Sequence, residues 1–183
     1  MTPLCEMAKR HRTDKFWPHN YTPIYHRFLG DRTTSVKKLL EIGIATGRSL
    51  RLWEEYFPNA KIVGIDYDRR WLINEGRIVS FEGNQRDKPR LMEIARLCGG
   101  DFDVIIDDGS HRADRQISAM TALLPFLAPR GIYFIEDILG DLDQIIGRVP
   151  EPFTFEVFEG GKMRRDATGM GERLMVIQQR NSP

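Results

Sequence analysis

Cysteine, net charge and long apolar runs are all scarce in this 183-residue sequence. Its two cysteines, Cys5 and Cys98, lack the spacing of a metal site, and we expect both to be reduced thiols, as in a cytoplasm. The formal net charge is +1, which creates no general attraction to nucleic acid or to a membrane surface. No stretch approaches the roughly 18 apolar residues of a membrane span. We therefore expect a cytoplasmic protein that binds neither nucleic acid nor membrane.

Length and composition are those of one globular domain, with 41% hydrophobic and 29% charged residues. The first residues show no charged region followed by an apolar run, so no secretory signal is expected. The segment 1–30 is polar with interspersed aromatic residues, which predicts a loop and a short helix that cover part of the molecule. We expect residues 1–35 to form this N-terminal lid or helical segment, and residues 36–183 to form the core of the same domain.

Strand-like and helix-like segments alternate through most of the remaining chain. Short apolar runs that end in glycine or an acid predict strands, and apolar residues at helical spacing predict helices. This alternation predicts an α/β fold with a doubly wound, mostly parallel sheet of seven strands. The last two strands follow each other without a helix, so we expect the last strand to be antiparallel. Strands are expected at residues 37–43, 61–66, 77–83, 104–107, 131–137, 153–158 and 173–178, and helices at 48–57, 89–98, 113–127 and 138–149.

A glycine-bearing turn after the first strand is a candidate cofactor site. Gly43 permits a tight turn, and Gly47 lets the following helix begin close to a ligand. Asp66 ends the next strand, where a carboxylate can accept hydrogen bonds from both hydroxyls of a ribose. The alternatives are an ordinary turn and an aspartate that caps the following segment. The Gly-x-Gly-x-x-Gly spacing of many NAD enzymes is absent, because Ala45 and Arg48 occupy two of its glycine positions.

Acidic residues and a histidine follow two further strands. One strand ends in Asp107 and Asp108, with His111 just beyond, and another ends in Glu136 and Asp137. Ligands of open α/β sheets bind at this edge, where carboxylates suit a divalent metal and a histidine suits a general base. Either aspartate could instead cap the next helix, and the histidine could be a solvated loop residue. Two acid pairs at neighbouring strand ends would, however, repel one another without a cation.

These motifs resemble those of known enzymes. The segments 40–50 and 57–66 look like the first two motifs of class I S-adenosylmethionine-dependent methyltransferases, whose last strand inserts antiparallel. The pattern then narrows to the macrocin O-methyltransferase family, which includes the sugar O-methyltransferases of macrolide antibiotic pathways. The residues that carry this closer resemblance are His11-Arg-Thr-Asp14-Lys15, His19-Asn-Tyr21, Ile-Asp-Asp-Gly-Ser-His and Phe-Ile-Glu-Asp, between about residues 11 and 140.

The resemblance implies a magnesium-dependent transfer of a methyl group from S-adenosylmethionine to a sugar hydroxyl. By motif, the metal ligands would be Asp108, Glu136 and Asp137, and the base would be His111. The chain departs from the family at Asn84, where members often have an acid, and in having only about thirty residues before its first strand, where some relatives carry an extra domain. The cofactor contacts expected in this interpretation are Asp14, Lys15, Glu41, Gly43, Gly47, Ser49, Asp66, Gln85 and Asp107.

The leading hypothesis is therefore a magnesium- and S-adenosylmethionine-dependent O-methyltransferase of a small glycosylated natural product. A metal-dependent catechol-type O-methyltransferase is the nearest alternative, although a phenol is more acidic and needs a histidine base less. A non-catalytic cofactor-binding module is the alternative from another class, and the intact carboxylates and histidine argue against it. A nucleic-acid methyltransferase is least favoured, because no basic excess is present. The expected partner is a small-molecule glycoside, and a homo-oligomer is left open.

Overall fold

A computed structural model describes residues 1–139, 141–161 and 172–180, and a seven-stranded sheet organises this part of the chain. Its strands are β1 (Lys38–Ile42), β2 (Lys61–Asp66), β3 (Ile78–Glu82), β4 (Phe102–Asp107), β5 (Leu127–Ile138), β6 (Phe153–Glu159) and β7 (Arg173–Gln179). The order across the sheet is β3-β2-β1-β4-β5-β7-β6. The first five strands run parallel, whereas β7 lies antiparallel between β5 and β6. The predicted doubly wound sheet with an antiparallel last strand is thereby confirmed.

Helices cover both faces of the sheet. They are α1 (Pro3–His11), α2 (Thr22–Leu29), α3 (Arg48–Tyr56), α4 (Lys88–Leu97), α5 (Ala113–Leu123) and α6 (Leu142–Ile146). Neighbouring strand residues alternate between two apolar layers, so that Leu39 packs in the layer of α1, α2 and α3, and Leu40 in the layer of α4, α5 and α6. This alternation follows from the two-residue period of a strand, and it explains why central strands are apolar on both faces.

The N-terminal segment contains two helices, where the sequence predicts a loop and a short helix. Helix α1 is capped at its start by Thr2, whose side chain accepts a hydrogen bond from Cys5 N, and at its end by Arg12, which has a left-handed conformation. Leu4 and Ala8 of α1 and Tyr25 of α2 are fully buried in the first apolar layer. Both helices are therefore part of the core, and the connection 12–21 is the portion of this segment that reaches the polar edge of the sheet.

Three elements, α5, β5 and α6, differ from the sequence prediction by three or more residues at an end. Helix α5 ends at Leu123, because Pro125 lacks an N–H donor and a short 3-10 turn replaces the last helical turn. Strand β5 begins at Leu127, which pairs with Phe102, so sheet pairing overrides the turn signal of Pro129 and Gly131. The predicted helix 138–149 contains only the five-residue α6. No helix among the described residues is long and apolar enough to cross a membrane.

Candidate active site

The carboxyl ends of β1, β2 and β4 open into one cavity of about 880 Å³. The turn after β1 and Asp66 at the end of β2 form one part of its wall. The residues that follow β4, from Asp108 to His111, form another part. The cavity therefore lies where open α/β sheets bind their ligands, and it brings together the two regions that the sequence singles out.

The glycine turn has a conformation that only glycine fits at its first position. Gly43 has a φ of +95°, and a Cβ there would lie 2.0 Å from the backbone oxygen of Asp108. The end of β1 can thus pass the end of β4 only without a side chain. Asp66 fastens the same turn, because its Oδ2 accepts hydrogen bonds from Ile44 N at 2.9 Å and Ala45 N at 3.4 Å. Asp66 Oδ1 also accepts from Asp68 N at 2.9 Å, but the short 3-10 helix that follows is capped by Asp68 and not by Asp66.

The expected cofactor contacts fall into two groups. Residues that line the cavity are Asp14, Gly43, Ser49, Asp66 and Gln85. Gly47 is the N-cap residue of α3, with a φ of +71°, and it lies between Thr46 and Arg48, which line the cavity. The other three lie beneath the cavity, since Lys15, Glu41 and Asp107 are 0% exposed. The structure thus separates the residues that can touch a cofactor from those that act through other side chains.

Gln85 stands close to where the family often has an acid, and it joins two strand ends. Its Nε2 donates to Asp107 Oδ1 at 2.6 Å, and its Oε1 accepts from Ser110 N at 3.0 Å. Burial raises the pKa of Asp107 to about 7, although the Gln85 hydrogen bond acts in the opposite direction. The Gln85 amide therefore bridges Asp107 and Ser110 and fixes the loop after β4.

Lys15 supplies the cation that the carboxylates require. Its Nζ lies 2.5 Å from Asp108 Oδ2, 2.8 Å from Glu136 Oε1 and 3.1 Å from Glu41 Oε1. Burial alone would lower the pKa of Lys15, but the three carboxylates raise it well above its usual value, so it stays an ammonium. Burial raises the pKa of Asp108 and Glu136 and, to about 7, that of Glu41, and Lys15 opposes each of these shifts. The structure therefore places Lys15 on the carboxylates, and the sequence interpretation of Lys15 as a direct cofactor contact needs revision.

His111 and two carboxylates converge at the cavity floor. One ligand atom from each of Asp108, His111 and Asp137 lies within 4.8 Å of the others, and His111 Nε2 is 3.8 Å from Asp137 Oδ2. Among the described residues, His111 Nδ1 has no hydrogen-bond partner. Glu136 lies deeper, where its Oε1 accepts from Lys15 and from the Tyr25 hydroxyl. The carboxylates of Asp108 and Asp137 thus lie close to each other, and Glu136 is linked to Asp108 because both contact the ammonium of Lys15.

Two tyrosines and three arginines belong to the site although they are not among the expected catalytic, cofactor or metal residues. The Tyr21 hydroxyl donates to Asp137 Oδ1 at 2.8 Å, and the Tyr25 hydroxyl donates to Glu136. Tyr21 is fully buried and supports a carboxylate, whereas Trp17 lines the cavity and is 78% exposed. The position of Tyr21 in the His19-Asn-Tyr21 motif was a usable signal. The arginines on the cavity wall are Arg12, Arg48 and Arg115.

The strand order, the inserted antiparallel β7 and the cavity at the strand ends define a class I methyltransferase fold. We next compared the sequence of this chain with those of known proteins. No family model matches the chain. It is 38% identical over 143 residues to mycinamicin VI 2''-O-methyltransferase of Micromonospora griseorubida, and 36% identical over 143 residues to demethylmacrocin O-methyltransferase of Streptomyces fradiae. Each match covers 74% of this chain and 36% of the relative, so the chain spans about a third of the length of these relatives.

Solved structures give the same result. The MycE methyltransferase of the mycinamycin biosynthetic pathway, in complex with Mg, SAH and mycinamycin VI, superposes with a TM-score of 0.70 at 38% identity, over 74% of this chain and 39% of that chain. An rRNA methylase from Streptococcus thermophilus superposes with a TM-score of 0.62 at 10% identity, over 86% of this chain and 95% of that chain, which shows the fold alone. Over the 143 matched residues the chain is homologous to these O-methyltransferases of antibiotic pathways, and its fold is that of a class I methyltransferase.

Proposed function

We propose that this chain is a magnesium- and S-adenosylmethionine-dependent O-methyltransferase that methylates a sugar hydroxyl of a glycosylated natural product. The observation that carries the proposal is the single cavity that runs from the glycine turn and Asp66 to Asp108 and His111. Methyl transfer needs donor and acceptor in one enclosed space, because the oxygen, the carbon and the sulfur must lie in line. The named relatives, all sugar O-methyltransferases, support this reaction class.

The glycine turn and Asp66 are the proposed site of the methyl donor. Asp66 lies 7% exposed on the cavity wall, where one carboxylate oxygen holds the turn and the other holds Asp68 N. Oδ2 accepts from two backbone N–H groups, whereas Oδ1 accepts only from Asp68 N and retains a lone pair that can accept from a ribose hydroxyl. Asp14 and Ser49 add polar contacts on the same wall, and the wall arginines suit the carboxylate at the amino-acid end of the donor.

The strand-end carboxylates fit a magnesium ion. Magnesium prefers hard oxygen ligands, and Asp108 and Asp137 place carboxylate oxygens within one ion's reach of each other. We assign Asp108, Glu136 and Asp137 as the residues that would hold the ion, with Glu136 as the deepest of them. When bound, the metal would polarise the substrate hydroxyl and make it easier to deprotonate.

His111 is the proposed general base. A sugar hydroxyl is barely ionised near neutral pH, and it becomes a good nucleophile only as its proton leaves. The neutral imidazole of His111 accepts that proton as the hydroxyl oxygen bonds to the methyl carbon. The carbon–sulfur bond breaks at the same time, its electron pair goes to sulfur, and the positive sulfonium becomes a neutral thioether. No acid is needed opposite, because a sulfonium is already a good leaving group.

The rim of the cavity fits an acceptor with apolar surface. Trp17, Tyr67 and Trp71 are exposed aromatic residues that all line this cavity. Such faces pack against the C–H surface of a sugar or an aglycone. A glycoside partner and a cytoplasmic location complete the proposal, and the location is supported by the two buried free thiols, Cys5 and Cys98.

A methyl-transfer screen tests the proposal. The protein is incubated with S-adenosylmethionine and Mg²⁺ together with matched panels of glycosides and catechols, and products are detected by the mass of one added methyl group. Transfer to a glycoside is expected, and transfer only to catechols would favour the phenolic alternative. In EDTA we expect turnover to vanish while calorimetry still detects cofactor binding, because the glycine turn and Asp66 are separate from the acid cluster. Full turnover in EDTA would refute the metal.

A further inference from the structure

One lysine side chain from the N-terminal segment lies inside the carboxylate cluster, and no step of the proposed reaction uses it. The ammonium of Lys15 is surrounded by oxygens of Asp108, Glu136 and Glu41 at 2.5–3.1 Å, and its side chain is 0% exposed. Burial of an ammonium is costly unless it is paired. Lys15 Nζ donates hydrogen bonds to Asp108 Oδ2 and Glu136 Oε1 and forms an ion pair with Glu41 Oε1. Lys15 is therefore an integral part of the site's charge balance.

The backbone around Lys15 is built to hold it there. Its carbonyl accepts hydrogen bonds from Tyr21 N at 2.8 Å and Thr22 N at 3.2 Å, which ties it to the start of α2. Tyr25 of the same helix donates its hydroxyl to the Glu136 oxygen that Lys15 also contacts. The connection between α1 and α2 thus delivers one cation to the ends of β1, β4 and β5.

Two of the three carboxylates around Lys15 are proposed magnesium ligands. A magnesium ion held by Asp108 and Glu136 would share these side chains with the ammonium, and two cations at such short range repel each other. Without metal, the same ammonium offsets the mutual repulsion of the carboxylates.

We propose that Lys15 is an internal counter-ion of the metal site, which stabilises the metal-free fold and weakens magnesium binding. The inference rests on the proposed function, because it presupposes that Asp108 and Glu136 bind magnesium. Its consequence is a site that stays folded without metal and exchanges its ion readily. Lys15 is thus a positioning and affinity-setting residue, since it acts on the metal ligands and touches neither substrate.

Magnesium titration of a charge-removal variant tests the inference. Lys15→Met keeps the aliphatic stem and removes the charge, and Lys9→Met on the exposed face of α1 is the matched control. Isothermal calorimetry with MgCl₂ on EDTA-stripped protein should show at least about tenfold tighter binding for Lys15→Met than for wild type and the control. Denaturation in EDTA should show a loss of stability for Lys15→Met that added Mg²⁺ restores. Unchanged or weaker magnesium affinity in Lys15→Met would overturn the inference.

A double variant keeps the test valid if Lys15→Met does not fold. Lys15→Met with Glu41→Gln removes one charge of each sign, and the amide oxygen introduced by the second change can still accept the hydrogen bond that Trp53 Nε1 donates to Glu41 at 3.1 Å. Tighter magnesium binding is expected here too, and wild-type affinity would overturn the inference. If wild type binds S-adenosylmethionine but no magnesium, the metal part of the proposed function fails as well. If wild type binds magnesium and both variants bind it equally, only the role of Lys15 fails.

Discussion

His111 Nε2 lies 3.8 Å from Asp137 Oδ2, although His111 follows β4 and Asp137 lies at the end of β5. Both have a left-handed backbone conformation, with φ of 55° for His111 and 53° for Asp137. Residues other than glycine rarely adopt this conformation. Such conformations cost about 1–3 kcal/mol each and occur often at functional sites. The imidazole and the carboxylate are thus held beside each other by two strand ends with uncommon backbones.

Replacement of His111 should abolish most turnover and leave donor binding intact. His111→Asn is the informative variant, because asparagine tolerates a positive φ but cannot serve as the base. We expect a turnover loss of roughly 10²–10⁴-fold, the usual contribution of a general base. The affinity for S-adenosylmethionine should stay near that of wild type, because the base acts on the other substrate. Single-turnover methyl transfer and calorimetry measure the two quantities.

His11→Asn is the matched control for this variant, since His11 pairs with Glu55 outside the cavity. It should keep wild-type turnover. Near-normal turnover in His111→Asn would remove His111 from the mechanism and leave metal polarisation as the only activation of the hydroxyl.

Asp66 should contribute to donor affinity beyond its role in the glycine turn. Asp66→Asn keeps the size of the side chain and an acceptor for Ile44 N, but it removes the charge that would face the ribose. We expect S-adenosylmethionine binding to weaken by about 1.5–3 kcal/mol, the scale of a lost charged hydrogen bond. Calorimetry gives the affinity, and thermal unfolding without ligand shows whether the turn survives. Unchanged affinity with an intact fold would rule out the ribose contact.

Strand ends could be predicted from sequence because parallel strands share one polar edge. Apolar runs that stop at Asp66, Asp108 and Glu136 locate that edge, and the sheet then brings these side chains together whatever the details of the helices. The repulsion among the acids also indicated that a cation is needed. The sequence could not show which cation, because a metal ion and a lysine side chain can both meet that requirement, and the structure shows Lys15 in this position.

The buried position of the Lys15 side chain could not be predicted from the sequence. A lysine in a short polar connection carries no periodicity that says which way it points, and lysines are mostly exposed. Its burial depends on how α1 and α2 pack on the sheet, which is a property of the whole first apolar layer. The buried Tyr25 hydroxyl, which donates to Glu136, was hidden for the same reason.

The pH dependence of stability should report the buried carboxyl of Glu41. Burial raises the pKa of Glu41 to about 7, although Lys15 acts to lower it, whereas an unfolded glutamate titrates near about 4.3. Between these values the folded protein binds the proton more tightly than the unfolded chain does. The stabilisation from this group is therefore complete below about pH 4.3 and is lost as the pH rises through about 7. The glutamine side chain of the Glu41→Gln variant cannot ionise, so the variant should not lose this stabilisation as the pH rises.

The measurement compares unfolding free energies of wild type and Glu41→Gln in EDTA at pH 5 and pH 8. Groups common to both proteins cancel in the difference, which isolates position 41. From pH 5 to pH 8 wild type should lose about 2–3 kcal/mol relative to Glu41→Gln, since one pKa unit corresponds to about 1.4 kcal/mol. Glu93→Gln, an exposed position on α4, controls for the chemical change itself. A difference between wild type and Glu41→Gln that stays constant with pH would mean that Lys15 keeps Glu41 ionised throughout, and the ion pair would then outweigh burial at this site.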